Sequence, residues 1–252
     1  MRFIFIFILF VSLPLLSYTP GKWSYKDQLI LYKVEKGPSK EIIRNTEGTV
    51  IYVSEFTYDE NGHLLQETYT NKEGKPDGKT IYVYKDGMVI AEEVYGPQNN
   101  LVEKKEFFYK VNLLKRLVTK DETGKVQIQY NLTVDKDGSV IAGEGKNAES
   151  NDLESFKFSI DSKRPNVQIQ SLLDDKKRSL GEIHFKYDAK GHLAEREFFQ
   201  GETKRVHKLK YKTDGTLESF TFHVKQGDTW MIDRTHTLIY DETLKNKVSK
   251  KD

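Results

Sequence analysis

The sequence predicts an all-β protein, an antiparallel meander of many short strands joined by tight glycine turns and curled into a large barrel, half-barrel or folded sheet. Three observations carry this: regularly spaced turn signatures, strict alternation of apolar and polar residues between them, and the lack of a long helical stripe. The turn signatures recur every ~12–14 residues, the spacing of short strands linked as hairpins. They include Asp59-Glu60-Asn61-Gly62, Lys85-Asp86-Gly87, Asp121-Glu122-Thr123-Gly124, Asp135-Lys136-Asp137-Gly138, Asp188-Ala189-Lys190-Gly191 and Thr213-Asp214-Gly215. Glycine ends each because such turns need a positive φ, and Asp or Asn precedes it because a short carboxylate or amide bonds the turn backbone.

Between turns the period is two. Val126, Ile128, Tyr130, Leu132 and Val134 are apolar, and the residues between them are polar. Phe156, Phe158 and Ile160 repeat the pattern, as do Ile183, Phe185 and Tyr187. Such strands have one dry face and one wet face. The small polar stretch 142–155 interrupts the rhythm and reads as a long loop within one continuous sheet. Residues 241–251 read as a short C-terminal helix capped by Asp241.

A set of strands with one apolar face must cover it by curling, by a second layer, by a partner or by a ligand. No helix is available as a lid, so a rolled barrel or folded sandwich is the expectation. An outer-membrane barrel is the rival. It needs an uncharged outward band ~25 Å tall, whereas the segment Lys204-Arg205-Val206-His207-Lys208-Leu209-Lys210-Tyr211 is typical of these strands and full of charge.

The chain begins with Met1-Arg2 and an apolar run from Phe3 to Leu16. That run is shorter than the ~20 residues of a membrane-spanning helix and has the form of a signal peptide over 1–19, with Ser17 and Thr19 as small residues near the cleavage site. Residues 20–252 then form one β-repeat domain. The sequence contains no cysteine. This excludes disulfides and the lipidated cysteine of a bacterial lipoprotein, and leaves burial to hold the fold together. The 40 Lys and Arg nearly balance the 38 Asp and Glu, giving a net charge of +2. Acidic and basic residues interleave, as in Glu103-Lys104-Lys105-Glu106, which is a solvated face and not a nucleic-acid surface.

The hairpin unit can be written aromatic-x-Tyr-Asp-x-x-Gly-x-Leu. Phe56, Tyr58, Asp59, Gly62, Leu64 and the later Tyr69 fill it, as do Phe185, Tyr187, Asp188, Gly191, Leu193 and Phe198. Shorter copies run through Tyr84, Asp86, Gly87 and Tyr95, and through Tyr211, Asp214, Gly215, Leu217 and Phe222. This unit resembles the YD (Rhs-type) repeat, whose copies build long sheets that curl into shells. The stretch from Asn71 to Gly87 is similar to the MORN-variant repeat of proteins labelled antitoxin components. The resemblance covers residues ~45–140 and ~180–240 and carries over no catalytic residues. It implies hairpins in which Tyr closes one strand, Asp-x-x-Gly reverses the chain, and Leu opens the next strand on the same buried face.

Chemistry-bearing residues are sparse. His63 and His192 each follow the repeat glycine and are expected to be equivalent, solvated turn residues. His184 and His223 read as ordinary strand residues. Strand parity aligns His207 with Leu209 and Tyr211. It aligns His236 with Trp230, Ile232, Leu238 and Tyr240, which puts both histidines on the dry face. With Asp233 or a glutamate they would offer zinc a ligand set, but no ligand spacing supports one. No nucleophile motif, P-loop or dinucleotide fingerprint occurs, and no carboxylate pair stands out. The sequon Asn131-Leu132-Thr133 reads as chance, and Trp23 and Trp230 as packing residues before sugar-stacking ones. The expectation is therefore no catalytic, cofactor or metal residue. The chain reads as an exported, non-enzymatic module of the bacterial cell envelope, periplasmic or on the surface, that binds an envelope or extracellular protein or a glycan. The alternative is a periplasmic carrier with an apolar ligand in a barrel cavity, and an envelope hydrolase comes third. A filled interior favours the binding module; an empty apolar one favours the carrier.

Overall fold

The computed structural model describes residues 37–136, 138–200 and 203–241. The expected signal peptide, Trp23 and the C-terminal helix after Asp241 lie outside the described residues. The strands are β1 (Lys40–Asn45), β2 (Val50–Tyr58), β3 (Leu64–Asn71), β4 (Pro76–Lys85), β5 (Met88–Tyr95) and β6 (Leu101–Lys110). Then come β7 (Leu113–Asp121), β8 (Val126–Val134), β9 (Val140–Lys146), β10 (Asp152–Ile160) and β11 (Val167–Asp174). The last are β12 (Ser179–Tyr187), β13 (Leu193–Gln200), β14 (Thr203–Tyr211), β15 (Leu217–Gln226) and β16 (Thr229–Ile239). Each strand pairs antiparallel with its neighbour in sequence, and β16 pairs with β1, so the meander closes into a barrel and leaves no open side.

The turns work as the Asp-x-x-Gly pattern implies. Asp59 Oδ1 accepts hydrogen bonds from the backbone N–H of Asn61 and of His63, both at 2.8 Å. Gly62 takes φ +82°, a conformation that costs a residue with a Cβ. The same bonds recur at Asn45, Asn71, Asp121, Asp174 and Asp188, so both rims of the barrel use one turn chemistry.

A systematic register shift follows these turns. Tyr58 pairs with Leu64, but Thr57 pairs with Gln66, so Leu65 has no cross-strand partner. The same step passes over Ile90, Lys115, Ile141, Ala194 and Glu218. An extra residue of this kind bends the strand and inverts its alternation. It explains the exposed hydrophobics Leu65, Val102, Ile141, Leu153 and Leu180, which all stand second in their strands.

The dry face is the inside of the barrel. Phe56, Tyr82, Phe107, Leu117, Tyr130, Phe156, Phe158, Ile183 and Phe185 belong to one buried cluster, with Tyr58, Tyr84, Tyr109 and Tyr187 packed against it. Rings meet around the wall, Tyr130 to Phe156 at 5.9 Å, Phe156 to Phe158 at 5.8 Å and Phe158 to Phe185 at 6.1 Å. At the turn rim Tyr211 Oη donates to Leu193 O at 2.9 Å and Tyr240 Oη to Leu217 O at 2.8 Å. The repeat tyrosine is thereby tied to the repeat leucine of the preceding hairpin.

Three expectations need correction. The stretch 142–155 is not a long loop: β9 and β10 occupy most of it around a tight turn at Asn147–Asn151. Its glycines serve packing. A Cβ on Gly143 would lie 2.4 Å from the Phe156 ring, and one on Gly145 would lie 2.9 Å from the Tyr130 ring. Ile160, expected on the dry face, ends its strand at the rim and is 61% exposed. Trp230 and Ile232 do not share a face with His236, because a register shift at Phe222/His223 breaks the parity. Both are exposed while His236 is buried.

Candidate functional site

The inverted alternation after each turn carries polar residues into the interior that a simple period of two places outside. Starting from Leu64, alternation would turn Gln66 inward; the shift turns Glu67 inward instead, opposite Phe56, and buries it. Glu92 enters β5 in the same way, opposite Tyr82 and Lys105, and Arg196 enters β13 opposite Phe185 and His207. With Glu41, Ser54, Thr80, Thr119 and Gln170 they form a buried polar layer above the apolar one. Sequence reasoning missed this layer; its signal was the repeated Tyr-(turn)-Leu spacing that leaves one residue over.

Lys105 is the buried cation of the layer. Its Nζ lies 2.7 Å from Glu92 Oε1 and 3.5 Å from Glu103 Oε1. Burial works against its charge, but the two carboxylates outweigh burial and hold its pKa above the usual lysine value.

The two inward histidines sit in an aromatic column. Arg196 donates to His207 Nδ1 through Nη2 at 2.8 Å and through Nε at 3.2 Å. The His207 nitrogen that accepts must be unprotonated, so this imidazole is neutral with its proton on Nε2. Burial first, then the Arg196 charge, push its pKa far below the ordinary histidine value. The Phe222 ring lies against both histidines, 3.7 Å from His207 and 4.8 Å from His236. His236 stacks on Phe220 at 4.2 Å, and its Nδ1 is 2.6 Å from Glu41 Oε1. The carboxylate beside a buried histidine is thus Glu41. Asp233 is exposed beyond the column and joins neither imidazole. Among the described residues no three His, Asp or Glu side chains form a group that would hold a metal. The column can hold a charge gradient from Arg196 to Glu41, and it places no nucleophile against an imidazole.

The turn histidines are equivalent, as their repeat positions imply, but they pack where solvated residues were expected. His63 Nδ1 is 2.8 Å from Asp59 Oδ2 with its ring 4.9 Å from Tyr84, and His192 stacks on Tyr211 at 4.7 Å. His184 bonds Glu182 at 2.8 Å and His223 bonds Thr221 at 2.8 Å, both on the outer wall. Asn131 of the sequon is exposed on that wall.

The outer wall is charged at mid-strand. Lys104 meets Glu93 at 3.0 Å and Glu106 at 3.8 Å, and Lys120 meets Glu106 at 2.7 Å. Lys186 meets Glu195 at 3.0 Å and Glu197 at 2.7 Å. These are cross-strand ladders on a surface open to water.

With that geometry in hand, similarity to known proteins can be weighed. No family model matches the sequence, and no curated protein matches it. Among solved structures, a porin-like protein from Bacteroides uniformis superposes with a TM-score of 0.55 at 8% identity, covering 81% of this chain and 96% of that one. The chain shares its fold with that porin-like protein. A second, from Bacteroides vulgatus, reaches a TM-score of 0.49 at 10% identity over 82% of this chain and 99% of that one. At such identities the likeness concerns architecture alone, and it agrees with the closed all-β barrel described above.

Proposed function

We propose that the chain is an exported, non-enzymatic β-barrel of the bacterial cell envelope that works in water, as a binding or scaffold module for a protein or glycan. Its contacts are made by the outer wall and the hairpin rims. The observation that carries this reading is the division of polarity: the apolar side chains are packed inside and the ion-pair ladders stand outside. A wall facing lipid would carry Lys104, Lys120 and Lys186 in hydrocarbon, at ~2–4 kcal/mol for each near the midplane. The leader-like run from Phe3 to Leu16 and the likeness to a porin-like barrel support placement in the envelope. On this reading the hairpin units are degenerate YD or MORN-variant repeats put to structural use. The near-complete burial of Tyr130 and Phe185 favours a filled interior over an open ligand chamber. The absence of a nucleophile beside His207 or His236 favours binding over hydrolysis.

Native mass spectrometry of the protein, purified from its source without detergent, tests the reading. The expected result is the bare chain, or the chain with a protein or glycan bound. A co-purified lipid would overturn it in favour of the apolar carrier, and a need for detergent to keep the chain in solution would overturn the water-facing wall.

A further inference from the structure

The barrel closes on unequal partners. β1 is the shortest strand, with 6 residues, and β16 the longest, with 11. Pairing of β16 with β1 stops at Arg234↔Asn45, where Asn45 turns the chain back into β2. On the other side, pairing of β14 with β15 stops at Arg205↔Val224. Among the described residues, Lys225 and Gln226 of β15 and Thr229–Ile232 of β16 therefore pair only with each other. The hairpin stands above the rim as a two-stranded ribbon, exposed at every residue from Gln226 to Asp233.

Two features make this ribbon anomalous. A two-stranded ribbon is marginal in water by itself, and its free edge presents unpaired backbone N–H and C=O groups. It also carries Trp230, Met231 and Ile232 in succession, 43%, 49% and 45% exposed. The free edge lacks the usual protections, having no lysine, no proline and no covering loop along Thr229–Ile232.

We propose that this edge pairs with the same edge of a second copy of the chain, antiparallel about a two-fold axis at Met231. The sequence is complementary to itself in that register. Thr229 falls opposite Asp233, Trp230 opposite Ile232 and Met231 opposite itself, and Asp228 comes level with Arg234 of the second copy. Aromatic residues facing β-branched ones are favourable cross-strand pairs, and an isologous contact of this kind closes at two chains. The pairing joins two barrels rim to rim through a four-stranded ribbon and leaves both outer walls free. It stands apart from the function proposed above.

Sedimentation of the full chain at increasing concentration tests the proposal, and paired substitutions test the register. The wild-type mass is expected to rise from one chain toward two. Trp230→Lys with Ile232→Lys puts like charges at both cross-strand positions, and the mass is expected to stay at one chain. Trp230→Lys with Ile232→Glu puts opposite charges there, and the doubling is expected to return. All these positions are exposed, and circular dichroism confirms the fold. Because the chain lacks cysteine, Met231→Cys supplies a second readout: mild oxidation is expected to convert it to a disulfide-linked dimer while Val111→Cys, exposed at the opposite rim, stays monomeric. A wild type that remains a single chain, a dimer that survives the double lysine variant, or equal crosslinking at the two cysteine positions would overturn the proposal.

Discussion

Replacing Lys105 by methionine tests whether the barrel interior is dry at its polar layer. In the wild type the ammonium lies 2.7 Å from Glu92 Oε1, and the lysine side chain is only 3% exposed. Methionine keeps the length of the chain and removes the charge, leaving the Glu92 and Glu103 carboxylates without that cation. Breaking a buried pair from one side costs ~3–5 kcal/mol, and in a domain of this size each kcal/mol lowers Tm by ~2–4 °C, so the variant should melt ~6–20 °C below wild type. Thermal and urea unfolding followed by circular dichroism would read the loss. Adding Glu92→Leu should restore most of it, because an apolar pair suits the site better than a lone carboxylate. The deficit should also shrink in acid, where a proton substitutes for the lysine. The alkaline limb has a defined sign. The folded Lys105 pKa is raised, so its contribution is complete below the unfolded lysine pKa of ~10.4 and fades as pH rises through the folded value. A loss below ~1 kcal/mol, the range of a solvated surface pair, would refute the dry interior.

Three further outcomes follow from the same geometry. Gly143→Val should cost ~1–3 kcal/mol by overpacking against Phe156, while Ile141→Ala, an exposed bulge position, should stay within ~0.5 kcal/mol in the same urea titration. The depressed pKa of His207 means that the unfolded chain takes up a proton below ~6.5 and the folded chain does not. Stability should therefore fall with acidification from that point, at up to ~1.4 kcal/mol per pH unit, and His207→Phe should lack this component. Hydrogen bonds hold the turn carboxylates of Asp59, Asp121, Asp161, Asp174 and Asp188 below their usual range. Their contribution is present above the unfolded value of ~3.9 and lost as pH falls through the folded values, so an acid titration should show a second, steeper loss below ~4 that Asp→Asn substitutions at these turns reduce.

The architecture was legible because turn chemistry and alternation are both local. Asp59-x-x-Gly62 specifies its own reversal, and Ile128, Tyr130 and Leu132 declare a dry face without reference to any other strand. Closure was legible only as a choice among barrel, half-barrel and folded sheet, since the pairing of β1 with β16 joins residues about 200 apart in sequence, as in Ser39 Oγ to Ile239 O. The polar layer was not legible. A single leftover residue after each turn inverts the face of everything downstream, which is why Glu67, Glu92 and Arg196 read as outward and why Trp230 and Ile232 read as inward. The glycines of β9 misled for a related reason: small residues mark loops in general, but Gly143 and Gly145 are small because Phe156 and Tyr130 lie over them. His207 and His236 were placed on the buried face correctly. Their partners, Arg196 and Glu41, come from other strands and carried no sequence signal.

The central claim is that apolar side chains face the inside of a closed barrel and charged ones face water. In this cysteine-free chain it can be tested most directly by labelling single cysteines with a water-soluble maleimide in detergent-free buffer, with and without lipid vesicles. The account predicts that Glu106→Cys and Glu197→Cys on the outer wall react rapidly and are unaffected by vesicles, while Ser54→Cys and Thr119→Cys, both 2% exposed inside the barrel, react only after unfolding. Protection of the outer pair by lipid, together with ready labelling of the inner pair, would mean a membrane-spanning barrel with a wet channel and would contradict the account.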